Sequence, residues 1–151
     1  MPRSELLRFL RAQPWAVEAS VDPQGQPQAA AIGVAITDRF ELVFDTLSGS
    51  RKAANFRANA RVALVVGWDD GQTVQLEGRV DEPVGADLRR LRDAYLERFP
   101  DGHERAALPD IVYFRVSPEW IRYSDFRTSP PTVAVFDAAA LRPTAGDRET
   151  E

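Results

Sequence analysis

Residues 44–55 have the sequence FDTLSGSRKAAN, which predicts a strand, a polar loop and a helix in that order. Residues 40–45 place apolar side chains on one face, as expected of a half-buried strand. The polar loop spans residues 46–52. Residues 53–57 then carry two apolar side chains one helical turn apart, which indicates a short helix.

The loop carries the groups that a phosphate needs. At a helix start, free N–H groups and the helix dipole attract an anion, to which the hydroxyls of Ser48 and Ser50 can donate hydrogen bonds. Gly49 lets the backbone come close to a ligand. Arg51 offers a planar fork for two phosphate oxygens, and Lys52 adds a compact charge. These residues predict a site for a terminal phosphomonoester.

A simpler interpretation of the same residues is a helix start without a ligand. Ser50 is a common helix-capping type, and Arg51 and Lys52 are then exposed residues of the first turn. The tripeptide alone favours that interpretation. Its position favours the phosphate site, because residues 44–46 can present backbone groups to a flat ring and a second apolar strand follows.

Alternation and turn-forming residues predict further antiparallel strands on both sides of this junction. Residues 22–25 (Asp-Pro-Gln-Gly) and 69–71 (Asp-Asp-Gly) are typical of hairpin turns. Residues 61–68 are largely apolar, which favours a central strand covered on both faces. The predicted strands are residues 15–21, 28–37, 40–45, 61–68, 73–81, 111–116 and 120–124.

Two further helices accompany these strands. Ser4 is placed to cap the first, which ends before Pro14 because proline disfavours helical geometry in the residue before it. Residues 83–99 form the other, with its arginines on a solvated face. Short strands joined by hairpin turns, with helices between some of them, predict an α+β antiparallel barrel.

Length and composition restrict the possible functions. The 151 residues fit one domain, and the formal charge of −4 argues against a nucleic-acid partner. No cysteine is available for thiol catalysis, and the single histidine, His103, is expected in an exposed loop, so no metal site is predicted. Residues 1–12 do not form a signal peptide, and no apolar run spans a bilayer. We therefore expect a cytoplasmic protein without a membrane partner.

Three stretches of the chain resemble one known family. Residues 44–55 are followed by Asn-Ala-Arg-Val-Ala-Leu at 59–64 and by Trp68, and residues 118–126 read PEWIRYSDF. Together they resemble the core signature of the pyridoxamine 5'-phosphate oxidase-like FMN-binding split-barrel family, in its small uncharacterised members. The resemblance covers roughly residues 6–126.

The resemblance implies a fold, a cofactor and a partner. The fold is an α+β antiparallel split β-barrel in Greek-key order, with about six to seven strands and a few peripheral helices. The FMN-binding domain spans residues 1–137, and a loosely ordered tail spans residues 138–151. FMN lies at the interface of a homodimer. The implied function is a flavin-dependent oxidoreductase that acts on an unknown small-molecule substrate or reductant.

The resemblance also assigns the cofactor's contacts on this chain. Arg51 and Lys52 would hold the FMN phosphate, and Ser50 would assist them. Asp45 and Thr46 would lie along the ribityl chain or the ring edge.

Four further positions are assigned near the flavin ring. Gln72 and Thr73 match the region where the family often places an amide near the flavin, and Trp120 or Arg122 would reach it from the other subunit. Other roles compete for two of them. Trp120 also fits barrel packing, and Arg122 also fits a cross-strand charge on the surface.

Two departures from the vitamin-oxidising members bear on the substrate. Those members carry a phosphate-gripping Arg and a Lys on an early strand, whereas residues 29–36 here read AAAIGVAI. They also end in an Arg-x-His motif, which does not occur after Trp120. We therefore expect a substrate other than pyridoxine or pyridoxamine phosphate.

Two other functions stay open from the sequence. One is a non-catalytic module that binds or senses flavin, deazaflavin or haem, with haem ranked below flavin because His103 is the single available histidine. The other is a barrel without a cofactor, in which Ser50 only caps a helix.

Overall fold

The computed structural model describes residues 1–142 as a curled antiparallel sheet with helices around it. Its strands are β1 (Ala16–Val21), β2 (Pro27–Ile32), β3 (Ala35–Ile36), β4 (Leu42–Leu47), β5 (Arg61–Val66), β6 (Gln72–Asp81), β7 (Ile111–Asp125) and β8 (Thr132–Asp137).

The strand order confirms the predicted α+β split barrel. It runs β2-β1-β5-β6-β7-β4-β3, with β8 beside β7, and every pairing is antiparallel. β1 lies next to β5, and β4 lies next to β7, so strands that are distant in sequence become neighbours, as in a Greek key. The inner face of the sheet carries the hydrophobic core, which includes Leu64, Leu76 and Val116.

The helices lie around this sheet. Those described are α1 (Arg3–Ala12), α2 (Arg51–Ala58), α3 (Gly85–Arg98), α4 (Gly102–Ala106) and α5 (Ala138–Leu141), and none of these is long and apolar enough to cross a membrane. The ring of Phe56 on α2 lies 6.0 Å from that of Phe44 on β4 and 5.5 Å from that of Phe114 on β7. These contacts tie α2 to two neighbouring strands.

Three strand predictions differ from the structure. The single strand expected over residues 28–37 is broken at Gly33, because the chain passes from β2 at one edge of the sheet to β3 at the other. The strands expected over 111–116 and 120–124 form one strand, β7, because Ser117 and Pro118 stay paired with β6 at a bulge. β8 was not predicted.

The expectation that β5 is covered on both faces is wrong for the single chain. Val62, Leu64 and Val66 are buried, whereas Ala63 and Val65 between them are exposed. β5 does lie inside the sheet, between β1 and β6. No part of residues 1–142 covers its apolar outer face.

The helix boundaries also shift. α1 begins one residue before Ser4, because the Pro2 carbonyl accepts the first backbone hydrogen bonds and Ser4 lies within the helix. α3 begins at Gly85 rather than at residue 83. His103 is exposed as expected, but it lies on α4 rather than in a loop.

The segment expected as a loosely ordered tail, residues 138–151, begins with structure. Its first four residues form α5, which the Asp137 side chain caps by accepting a hydrogen bond from Ala140 N at 2.8 Å. Leu141 is buried in the core. Residues 143–151 lie outside the described residues.

The arginines of α3 do not all point into solvent. Arg90 connects α3 to Glu41, the residue before β4. Its guanidinium donates to both carboxylate oxygens of Glu41, at 2.8 and 2.9 Å, and Arg115 donates to the same carboxylate at 3.1 Å. Burial opposes the ionisation of Glu41, but hydrogen bonds from Arg90, Arg115 and Thr37 outweigh it and lower the pKa to about 2.

The bulge in β6 generates a stability prediction. A Cβ atom at Gly78 would overlap the carbonyl oxygen of Ser117, whereas one at Gly49 would meet nothing within 4 Å. We expect Gly78→Ala to lower the free energy of unfolding by roughly 1–3 kcal/mol. Gly49→Ala should change it by less than about 0.5 kcal/mol. Urea unfolding measures both values, and equal stabilities would contradict the close approach of β6 and β7.

Candidate functional site

The predicted anion-binding loop ends in a capped helix. The Ser50 hydroxyl accepts a hydrogen bond from Ala53 N at 3.2 Å, and the Thr46 hydroxyl donates to Ser50 Oγ at 3.0 Å. The cap makes α2 begin at Arg51, two residues before the predicted start. Thr46 and Ser50 therefore lie together, and the end of β4 is joined to the first turn of α2.

The two adjacent cations lie in that first turn. Arg51 is exposed, and its Nε donates to Gln28 Oε1 on β2 at 3.1 Å. Lys52 is partly buried. Backbone N–H groups of a first helical turn lack partners within the helix, and the helix dipole is positive there. The start of α2 thus combines two cations with a positive helix end.

A buried polar network continues from these cations into the barrel. Asn55 on α2 donates through Nδ2 to Gln28 Oε1 and to Ser20 Oγ, each at 3.0 Å. Ser20 on β1 is paired with Gln28 on β2, so both side chains face the helix. Gln28 accepts from Arg51 as well as from Asn55, and it therefore couples the exposed cation to the interior.

A buried carboxyl group lies beside this network. On β1, Ala16, Glu18 and Ser20 face inward, and Glu18 is 1% exposed. Glu18 Oε2 has no hydrogen-bond partner among the described residues. Burial raises the pKa of Glu18, although the charge of Lys52 and a hydrogen bond with Ser20 act in the opposite direction.

The structure does not bring Asp45 to this site. Successive residues of a strand point to opposite faces, so Asp45 and Thr46 on β4 diverge. Asp45 Oδ2 accepts from Arg105 Nε at 2.8 Å, and its Oδ1 accepts from the Tyr95 hydroxyl at 2.8 Å. The carboxylate therefore joins β4 to α3 and α4, on the face opposite Thr46 and Ser50.

The four residues assigned near the ring lie elsewhere on the sheet. Gln72 Oε1 accepts from the Tyr123 hydroxyl at 2.7 Å. Thr73, Trp120 and Arg122 lie on β6 and β7 and face the outer side of the sheet. Among the described residues no hydrogen bond links Gln72, Thr73, Trp120 or Arg122 to the start of α2.

The outer side of the sheet has a groove and, beside it, a row of aligned residues from neighbouring strands. The groove has a volume of about 420 Å³, and its lining includes Ala19, Ala63 and Trp120 together with charged side chains of β5, β6 and β7. Beside it, cross-strand pairing aligns six residues in one row, which we call the outer row. Its members are Ala31, Val17, Val65, Gln75, Arg122 and Val135.

Comparison with known proteins identifies the family. The model of the family described as "Pyridoxamine 5'-phosphate oxidase" matches residues 3–125. The chain belongs to the pyridoxamine 5'-phosphate oxidase family. The family match includes β4, the capped loop, α2 and all of β7, so the resemblance seen in the sequence is confirmed.

One curated relative matches part of this chain. A pyridoxine/pyridoxamine 5'-phosphate oxidase of Rubrobacter xylanophilus is 32% identical over 91 residues, which are 60% of this chain and 41% of that protein. This chain therefore matches less than half the length of that relative.

Solved structures share the family fold at low identity. A pyridoxamine 5'-phosphate oxidase-related, FMN-binding protein of Nostoc punctiforme has a TM-score of 0.71 at 14% identity, with 89% of this chain and 88% of that chain covered. A haem-binding protein of Mycobacterium smegmatis has a TM-score of 0.79 at 15% identity, with 93% and 60% covered. At these identities the likeness shows the fold alone.

Four polar residues of this region were missed as site residues from the sequence, namely Glu18, Ser20, Gln28 and Asn55. Alternation over residues 15–21 separates two faces but does not say which one is buried. A charged residue on the same face as Ala16 was the available signal. It was weak because the helix that covers Glu18 comes more than thirty residues later in the chain.

The helix cap can be tested separately from any ligand. Ser50→Ala removes the acceptor of Ala53 N and the partner of the Thr46 hydroxyl. We expect the free energy of unfolding to fall by about 0.5–2 kcal/mol. Ser50→Thr keeps a hydroxyl acceptor and should retain most of the stability in the same denaturant titration. Unchanged stability of Ser50→Ala would show that the cap does not hold the loop.

Proposed function

We propose that this chain is a flavoprotein that binds FMN, with the cofactor's phosphate held at the start of α2. The observation that carries the proposal is that Ser50 caps α2 and thereby places Arg51 and Lys52 in the first turn of the helix. Membership of the pyridoxamine 5'-phosphate oxidase family supports it.

The donor set suits a phosphomonoester. Guanidinium nitrogens bind two phosphate oxygens at once, an ammonium adds a point charge, and a helix start presents N–H groups to an anion. Arg51 is exposed and is oriented by Gln28 rather than neutralised by a carboxylate. Its Nη atoms make no hydrogen bond among the described residues, which leaves the fork open to a ligand. Thr46, joined to Ser50, borders the same turn.

A second copy of the chain completes the proposed site. Trp120 and Arg122 face the outer side of the sheet, whereas Lys52 belongs to the helix that covers the inner side. One protomer therefore supplies the phosphate site, and its partner supplies Trp120 or Arg122 to the ring. The outer row supports this arrangement, because Val65 and Val135 are 39% and 58% exposed.

The proposed activity is a flavin-dependent oxidoreductase. Bound FMN supplies the redox chemistry, while the protein supplies binding, orientation and access. The substrate class differs from vitamin B6 phosphates in this proposal, because residues 29–36, which include the end of β2 and all of β3, offer no cation to a second phosphate.

A non-catalytic binding module is the second candidate. Two structures with this fold are described as a haem-binding protein of Mycobacterium smegmatis and the haem storage protein HutZ of Vibrio cholerae. His103 is the single histidine and is exposed on α4, so it is the one imidazole available to haem iron. A deazaflavin would use the flavin site. Absorbance of the loaded protein separates haem from the flavins, and turnover with NADH or NADPH separates an enzyme from a carrier.

The phosphate assignment predicts a loss of FMN affinity in Arg51→Ala/Lys52→Ala. Removing two charge-assisted contacts should weaken binding roughly a hundredfold, measured by quenching of FMN fluorescence. Arg8→Ala/Arg89→Ala removes the same net charge from exposed positions of α1 and α3 and should bind FMN as the wild type does. Full FMN affinity in the first variant would contradict the assignment.

The proposed dimer predicts that a charge introduced in the outer row weakens association of the two copies. Val65→Asp should shift the protein from dimer to monomer in size-exclusion chromatography with light scattering, because a carboxylate would be buried in the interface. Val84→Asp adds the same charge at a residue 78% exposed before α3 and should leave the dimer intact. A wild-type monomer, or a dimeric Val65→Asp protein, would contradict this interface.

A further inference from the structure

Glu18 is a carboxyl group in a buried, largely apolar environment. Of the Asp, Glu, Lys and Arg residues in the described chain, it is the one that is buried. Its cross-strand neighbours are Ala30 on β2 and Leu64 on β5, and neither offers a charge or a side-chain hydrogen bond. Burying a carboxylate in such surroundings carries a desolvation penalty.

The helix above Glu18 compensates the carboxylate only in part. Lys52 is the cation of α2 whose charge lowers the pKa of Glu18, and the Ser20 hydroxyl on the same strand acts in the same direction. Asn55, the other polar residue on this side of α2, donates to Ser20 and Gln28 instead. Oε2 therefore stays without a partner in the described chain. A proton on this oxygen, or a donor from a ligand, would satisfy it.

We propose that Glu18 sets how much negative charge the start of α2 accepts, because binding of a phosphate dianion there requires a proton on Glu18. This inference rests on the proposed phosphate site. Arg51 and Lys52 contribute two positive charges, ionised Glu18 cancels one of them, and a dianion then leaves one net negative charge in a partly buried site. One proton taken from solvent onto Glu18 restores neutrality.

In the part of the chain that the structure describes, no other cation on the β2 side offsets Glu18. Residues 29–36 are all uncharged, and Ala30 stands directly opposite the carboxyl group. Among residues 1–142, the hydrogen bond from Arg51 to β2 goes to the amide of Gln28. The charge accepted by the site is therefore decided by Arg51, Lys52 and Glu18 together, and Glu18 is a specificity-determining residue for the ionic state of the ligand.

The direction of the pH effect follows from linkage. A bound dianion raises the pKa of Glu18 beyond the increase that burial causes, so FMN affinity rises as the pH falls through the range between the two pKa values. The phosphate's own second ionisation, at about pH 6, acts in the opposite direction, because the monoanion is held less strongly by two cations. Glu18→Gln keeps the second effect and loses the first.

The experiment compares FMN with riboflavin, which lacks the phosphate, on the full chain freed of flavin. Affinities are measured by fluorescence quenching from pH 5 to pH 9 for the wild type, for Glu18→Gln and for Glu97→Gln, a matched change on the exposed side of α3. Calorimetry of the wild type in two buffers of different ionisation enthalpy counts the protons taken up. This second measurement does not depend on whether Glu18→Gln folds.

We expect Glu18→Gln to bind FMN at least roughly tenfold more tightly than the wild type at pH 9, with the difference closing as the pH falls. Riboflavin affinity should be equal in both proteins, and Glu97→Gln should behave as the wild type. FMN binding should take up protons and riboflavin binding should not. If the wild type and Glu18→Gln bind FMN with equal, measurable affinity and binding takes up no protons, the role of Glu18 is wrong and the proposed function still holds. Absence of FMN binding in both overturns the proposed function and this inference together.

Discussion

The hydroxyl of Ser50 holds the end of β4 and the first turn of α2 in one arrangement. It accepts from Ala53 N and from Thr46, and Phe56 in the next turn packs against Phe44 and Phe114. A polar cap and an aromatic contact thus act on the same eight-residue helix, which is too short to be stable by itself. The position of both cations depends on this combination of a local cap with long-range apolar contacts.

The interior below these cations departs from the usual rule for a barrel core. Glu18, Ser20 and Asn55 are buried, although burial removes the hydration of their polar groups. The amide nitrogen of Asn55 donates to the hydroxyl of Ser20 and to Gln28, but one oxygen of Glu18 stays unsatisfied in the described chain. Local conflicts of this kind are concentrated at functional sites, which is the reason to connect the buried carboxyl group with ligand charge.

The two faces of the sheet divide the proposed site between two copies of the chain. α2 packs over the inner side, whereas Thr73 and Trp120 face the outer side. A single sheet cannot bring opposite faces to one ligand, so the family resemblance and the single-chain structure agree only if a partner contributes. The proposed dimer would also cover the apolar run of β5, whose outward residues Ala63 and Val65 are exposed among residues 1–142.

Local signals in the sequence determined the fold class and the position of the two adjacent cations. The strand, loop and helix around residues 44–57, the turn residues and the alternation of β6 predict an α+β barrel with Arg51 and Lys52 side by side. These features depend on neighbours within a few residues. Only the tertiary structure decided that Asp45 pairs with Arg105, that β7 is continuous, and that Glu18 faces inward beneath Lys52. The physical reason is that alternation defines two faces of a strand, while burial of one face depends on strands and helices that arrive from distant parts of the chain.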